Sequence, residues 1–151
     1  MTRTTHTTLP TVIDAVKALA HPGRLRILAM LRGGDLCVCQ MTAVLELAAS
    51  TVSSHLSDLR RAGFVTERKS GKWVHYHLVD IGPLSGLVRQ ALRLVDEDDR
   101  LGRDAQVVSV LRNIPLETFC STGFDRKAGG APSRPAAKRP RSRPSSPRRR
   151  A

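Results

Sequence analysis

Aromatic residues are few in this chain: one Trp, one Tyr and three Phe among 151 residues, or 3%. A core must therefore come mainly from Leu, Val and Ala, and 40% hydrophobic residues suffice for a small one. Long apolar runs are missing too. No stretch of 18 or more apolar residues occurs, so no membrane-spanning helix is expected. The first ten residues are polar and Thr-rich, unlike a signal sequence. Cysteine numbers three, an odd count that makes no disulfide framework and suits free thiols in a reducing cytoplasm. Also missing are a nucleophile elbow, a phosphate loop and a paired-acid arrangement, so catalysis is not expected.

The net charge of +12 is unevenly spread. Residues 121–151 hold 10 Lys/Arg against Asp125 alone, leaving only +3 for residues 1–120. From Lys127 onward the chain has no Leu, Ile, Val or aromatic residue. Such a segment buries too little apolar surface to offset its ordering entropy. The expected organisation is a flexible N-terminus over 1–8, a folded domain over 9–120 and a disordered basic tail over 121–151.

Hydrophobic spacing orders the elements. Val12, Ile13, Val16 and Leu19 form a helical stripe, and Pro22 opens a second helix that stops at Gly33-Gly34. Asp35 is the expected N-cap of a short third helix reaching about Leu47. Ser50 is the expected cap of a fourth, with Val52, Leu56 and Leu59 inward and Gly63 ending it. Two strand-like runs, 64–69 and 73–79, join through Ser70-Gly71-Lys72 as a hairpin. Pro83 opens a fifth helix striped by Leu84, Leu87, Val88, Ala91, Leu92 and Val95. After the acidic break 96–99, a last helical piece spans about 104–112.

Two short helices followed by a basic hairpin make a winged helix-turn-helix, mainly α with a β-hairpin wing. The inward Val52 and Leu56 leave Ser50, Thr51, Ser53, Ser54 and His55 as candidates for base edges and phosphates. The hairpin supplies Arg68, Lys69 and Lys72 for phosphate contact.

These residues resemble the ArsR/SmtB family of bacterial repressors over about residues 10–95. The resemblance rests on Leu19-Ala20-His21-Pro22-Gly23-Arg24-Leu25-Arg26-Ile27-Leu28, on Asp35-Leu36-Cys37-Val38-Cys39, and on Ser50-Thr51-Val52-Ser53-Ser54-His55-Leu56. Leu59-Arg60-Arg61-Ala62-Gly63 and the wing Gly71-Lys72-Trp73-Val74-His75-Tyr76 extend it. It implies a cytoplasmic homodimer, paired through the first and fifth helices, that releases an inverted-repeat operator when a metal or metalloid binds. No organic cofactor is implied.

Thiolates are soft ligands suited to As(III), Sb(III), Cd(II), Pb(II), Zn(II) or Cu(I). Cys37 and Cys39 are expected in the first turn of the third helix, where the helix N-terminus favours thiolate. Residues i and i+2 lie about 200° apart around a helix, so shared coordination is expected to unwind or tilt that turn. In the arsenic-sensing branch of the family a third Cys often follows where this chain has Thr42. Cys120 is then the remaining thiol that completes an As(III) or Sb(III) site, or else a C-terminal leftover. The alternative functions are a thiol-redox regulator, pairing Cys37 or Cys39 with Cys120, and a Cd(II)- or Pb(II)-responsive repressor. Zinc through His is disfavoured because no His follows His77. His21 is expected in local packing, and His75 and His77 on the hairpin surface.

Overall fold

The computed structural model describes residues 7–122. The expected flexible N-terminus and basic tail fall almost wholly outside those residues. Six helices and a hairpin follow the order read from the sequence, with one strand and one helix added.

Helix α1 (Leu9–Leu19) begins where the Thr8 hydroxyl accepts from the Thr11 N–H. Helix α2 (Pro22–Arg32) starts with Pro22 in its first turn, and His21 Nδ1 accepts the Gly23 N–H at 3.0 Å. His21 is thus a helix cap.

The third element departs from expectation. Leu36 and Cys37 form a two-residue strand β1, and helix α3 spans Val38–Leu45. Cys37 occupies the N-cap position with extended φ −90° and ψ 165°, while Asp35 lies outside the helix. The cause is tertiary. Leu36 pairs with Tyr76 and Cys37 with His75, and both β1 side chains are buried. Glu46 then turns left-handed at φ 56° and ends α3 two residues early.

Helix α4 (Ala49–Arg61) starts with Ala48 as its cap residue, so Ser50 sits in the first turn and does not cap. Val52, Leu56 and Leu59 are buried as their spacing requires. Strands β2 (Val65–Ser70) and β3 (Trp73–Leu78) are joined by Gly71-Lys72, with Gly71 at φ +59°. A left-handed first turn position fits a tight hairpin and favours glycine. The sheet runs β1-β3-β2, all antiparallel.

Helix α5 (Ser85–Leu94) opens two residues after Pro83. Its stripe only partly remains for a partner: Val88 and Leu92 are buried within the chain, while Leu84, Leu87, Ala91 and Val95 are half-buried. The exposed large apolar residues are Leu9, Ile13 and Val16 on α1 and Leu94 on α5, with Val74, Ile81 and Val110 elsewhere.

Helix α6 (Asp99–Arg112) is longer than expected because the acidic break is its cap: Asp98 accepts from the Arg100 and Leu101 N–H groups. Arg26 Nε and Nη2 reach the two carboxylate oxygens of Asp104 at 2.6 and 2.9 Å, tying α2 to α6. Asp104 is 2% exposed. A final helix, α7 (Leu116–Thr122), is absent from the sequence reading and runs past the expected domain end. Buried Phe119 anchors it to the core. Among the described residues no helix is long and apolar enough to cross a membrane.

Candidate metal and nucleic-acid sites

The sulfurs of Cys37, Cys39 and Cys120 all lie within 4.8 Å of one another. Each comes from a different element. Cys37 is held by the β1 ladder, Cys39 is the second residue of α3, and Cys120 is carried by α7. The expected obstacle to convergence therefore disappears. Cys37 is strand-like, so the 200° separation of two residues on one helix does not apply. No unwinding of the turn is required.

Three thiolates at about 2.3 Å from one ion, at tetrahedral angles, stand about 3.8 Å apart. Contraction by at most about 1 Å would bring these sulfurs to that spacing, so the donor set fits a soft ion. The cluster is graded in access: Cys37 is buried, Cys120 half-buried and Cys39 exposed.

Thiolate is not the resting form of Cys37. Burial pushes its pKa up, against the Gln40 backbone that pulls it down, and neighbouring Cys39 raises it further. Desolvation thus outweighs the helix N-terminus on which the sequence expectation rested. Burial also raises Cys120, reinforced by its contact with Cys39.

Two nearby residues were missed. Gln40 is buried, and its side-chain oxygen accepts the Cys37 N–H at 3.0 Å, fixing the cap. The signal was present, since Gln three residues after an N-cap is the spacing of a capping box. Glu117 Oε1 lies 3.6 Å from Lys72 Nζ at the wing turn. No sequence pattern links those two residues.

The DNA-contact candidates divide by element. Ser50, Thr51, Ser53 and Ser54 are exposed on α4. His55 departs from the expected outward placement: it is half-buried, with its ring centroid 4.4 Å from that of His21. Burial lowers its pKa below the ordinary 6.5, and His21 and Arg24 lower it further, so it is neutral at pH 7. On the wing Arg68, Lys69 and Lys72 are exposed. Arg68 lies 3.4 Å from Asp35, and Lys72 sits over the Trp73 ring at 5.0 Å. His75 and His77 lie on β3 of the hairpin, as expected, and are half-buried.

A family model described as bacterial regulatory protein, arsR family, matches residues 21–67. Over 110 residues the chain is 36% identical to the arsenical resistance operon repressor of Escherichia coli, spanning 72% of this chain and 88% of that protein. It is 46% identical over 63 residues to the arsenic resistance transcriptional regulator ArsR1 of Pseudomonas putida, spanning 41% of this chain and 49% of that one. Against that relative the match spans about half its length. Among solved structures, a homodimeric winged helix-turn-helix DNA-binding domain from Mycobacterium bovis, described as a possible ArsR-family transcriptional regulator, matches with TM-score 0.52 and 28% identity. That match covers 59% of this chain and 82% of the other.

Proposed function

The chain belongs to the arsR family of bacterial regulatory proteins, DNA-binding transcription regulators and not enzymes, and on that premise we propose that it is a repressor that leaves its operator when As(III) or Sb(III) binds Cys37, Cys39 and Cys120. The observation that carries this reading is the convergence of three sulfurs from β1, α3 and α7. The arsenic-related functions of the two sequence relatives point the same way.

The resting state of the thiols favours a metalloid. Arsenous acid, neutral at pH 7, exchanges three hydroxyls for three protonated thiols, forming three As–S bonds and releasing three waters. No net proton is produced. Cd(II) must instead displace each proton, and the raised pKa values of Cys37 and Cys120 keep at least those two protonated at neutral pH. As pH falls from 8 to 6, arsenite affinity is expected to stay nearly flat. Cd(II) affinity is expected to drop by at least about 100-fold per pH unit, one factor of ten for each of two protons. Ultraviolet thiolate charge-transfer titrations at several pH values, under reductant, check this. Equal pH slopes for the two ions would remove the proposed basis of selectivity.

Operator release against a panel of arsenite, antimonite, Cd(II), Pb(II) and peroxide tests the function itself, using an operator selected by the protein from random duplexes. Arsenite or antimonite is expected to release DNA at the lowest concentration. Release by peroxide without metalloid binding would assign the cluster to thiol redox control.

DNA reading is assigned to Ser50, Thr51, Ser53, Ser54 and His55 on α4, and phosphate contact to Arg68, Lys69 and Lys72. Ser54→Ala is expected to cost ~1–3 kcal/mol on the selected operator and little on random DNA. Lys72→Ala is expected to weaken both alike and flatten the salt dependence. The opposite pattern in binding titrations would exchange the roles of helix and wing.

Leu9, Ile13, Val16 and Leu94 leave an apolar face next to α5, which supports a two-fold dimer through α1 and α5. Its operator would be an inverted repeat with half-sites about 34–36 Å apart. Sedimentation is expected to give a dimer at micromolar concentration. A stable monomer there would contradict the assignment.

A further inference from the structure

One short helix carries, beside its thiol, a contact that the thiol site does not explain. Helix α7 is seven residues long, and Glu117 stands three residues before Cys120, on the same helical face. The C-terminal half of α7 brings Cys120 to Cys37 and Cys39. Its N-terminal half brings Glu117 to Lys72, the residue at the wing turn. Phe119, between them in sequence, is buried in the core and fixes how α7 lies. The register explains how one helix reaches both places. Cys37 stands opposite His75 in the sheet, so those side chains leave the same face, and Trp73 lies two residues further along β3 toward the turn.

We infer that α7 is a cap on the wing, in which Glu117 competes with DNA phosphate for Lys72 and is held in place when an ion closes the thiol site. The second half of this statement rests on the metalloid reading above; the first does not.

The physical reason lies in competition for one charge. Glu117 and Lys72 side chains are 79% and 66% exposed, so their pair contributes little to fold stability. Its consequence falls on DNA. A lysine engaged by a carboxylate is not free to neutralise phosphate. Without an ion, α7 is retained by Phe119 and its neighbours, and Lys72 exchanges between Glu117 and DNA. With three sulfurs on one ion, α7 gains a second anchor and the exchange shifts away from DNA. The wing then senses the ion through an acidic side chain, without needing the turn before α3 to unwind.

The test is a double-mutant cycle on the full chain with a random-sequence duplex, since phosphate competition needs no operator. Glu117→Gln is expected to bind that duplex ~3- to 10-fold more tightly at 0.1 M salt. Its salt slope should steepen by up to about 1.8, one phosphate for each wing of a dimer. In a Lys72→Gln background the same change is expected to do nothing. A similar gain in both backgrounds would mean a general charge effect and would overturn the cap, as would no gain in either. Unchanged circular dichroism guards against a folding artefact.

Sodium arsenite supplies the second arm. The affinity gap between wild type and Glu117→Gln is expected to widen once arsenite is bound. A gap that stays constant while the ultraviolet signal confirms binding overturns the ion-held half. Absence of any thiolate–arsenite signal would end both that half and the metalloid reading, with the cap judged by the salt slope alone.

Discussion

Replacing Cys37 or Cys39 by Ser is expected to leave the protein on its operator at arsenite concentrations that release the wild type. Serine offers a hard oxygen where the ion prefers soft sulfur, and only two sulfurs remain. Neither thiol is required to touch DNA, so operator affinity without arsenite should change little. Moving occupancy from nearly all bound to nearly all free needs a preference of ~5.5 kcal/mol for the DNA-free form. Loss of one of three sulfurs removes enough of that to raise the half-release concentration by at least ~100-fold. Cys120→Ser separates two versions of the site. If α7 supplies the third ligand, its loss raises the half-release concentration substantially; if an exogenous thiol does, nothing moves. Fluorescence anisotropy of a labelled operator titrated with arsenite reads all three variants. Wild-type release by both Cys37→Ser and Cys39→Ser would end the metalloid reading and leave DNA binding standing.

Under the proposed function, coupling from this site to DNA would have two routes in the fold besides α7. Cys37 is laddered to β3 of the wing, and Cys39 lies in the first turn of the helix that precedes α4 in the helix-turn-helix. An ion that drew the sulfurs together would pull on both at once.

Asp104→Ala is expected to be the most destabilising single change outside the apolar core. Asp104 is nearly inaccessible and takes two hydrogen bonds from Arg26, which also approaches the Val44 carbonyl at 3.4 Å. The pair raises the Arg26 pKa still further, chiefly through the hydrogen bond to Asp104. Removing the carboxylate strands a guanidinium that is only 18% exposed. Breaking a buried pair from one side costs ~3–5 kcal/mol, and the partial access of Arg26 argues for the lower end. For a domain near 100 residues, about 3 kcal/mol corresponds to a fall in Tm of at least ~12 °C. Asp104→Asn keeps an acceptor and should lose less. Thermal unfolding at one fixed protein concentration checks it, because a dimer's Tm depends on concentration. A shift below ~3 °C for Asp104→Ala would show that Arg26 finds water or another acceptor.

Helix α4 and the wing were legible because their signals are local. Val52, Leu56 and Leu59 announce one buried face of α4 by spacing alone, and Gly71-Lys72 between two β-prone runs announces a hairpin. Helix α2 was bounded by Pro22 and Gly33 for similar reasons. These are statements about neighbours along the chain, and tertiary packing agreed with them.

What the sequence by itself determined was the order of the main elements, the winged helix-turn-helix they compose and the presence of three soft ligands. Tertiary structure decided how those ligands meet. A two-residue strand carries no periodicity, and β1 exists only because Leu36 and Cys37 find Tyr76 and His75 some 40 positions away. That pairing turned Cys37 from a helical residue into a strand residue and removed the geometric conflict with Cys39. Helix α7 is too short to be stable alone, and it is tied down by burial of Phe119. Its position brings Cys120 to the other two sulfurs and Glu117 to Lys72. Distances between residues far apart in sequence depend on which surfaces bury against one another, and local spacing holds no record of that.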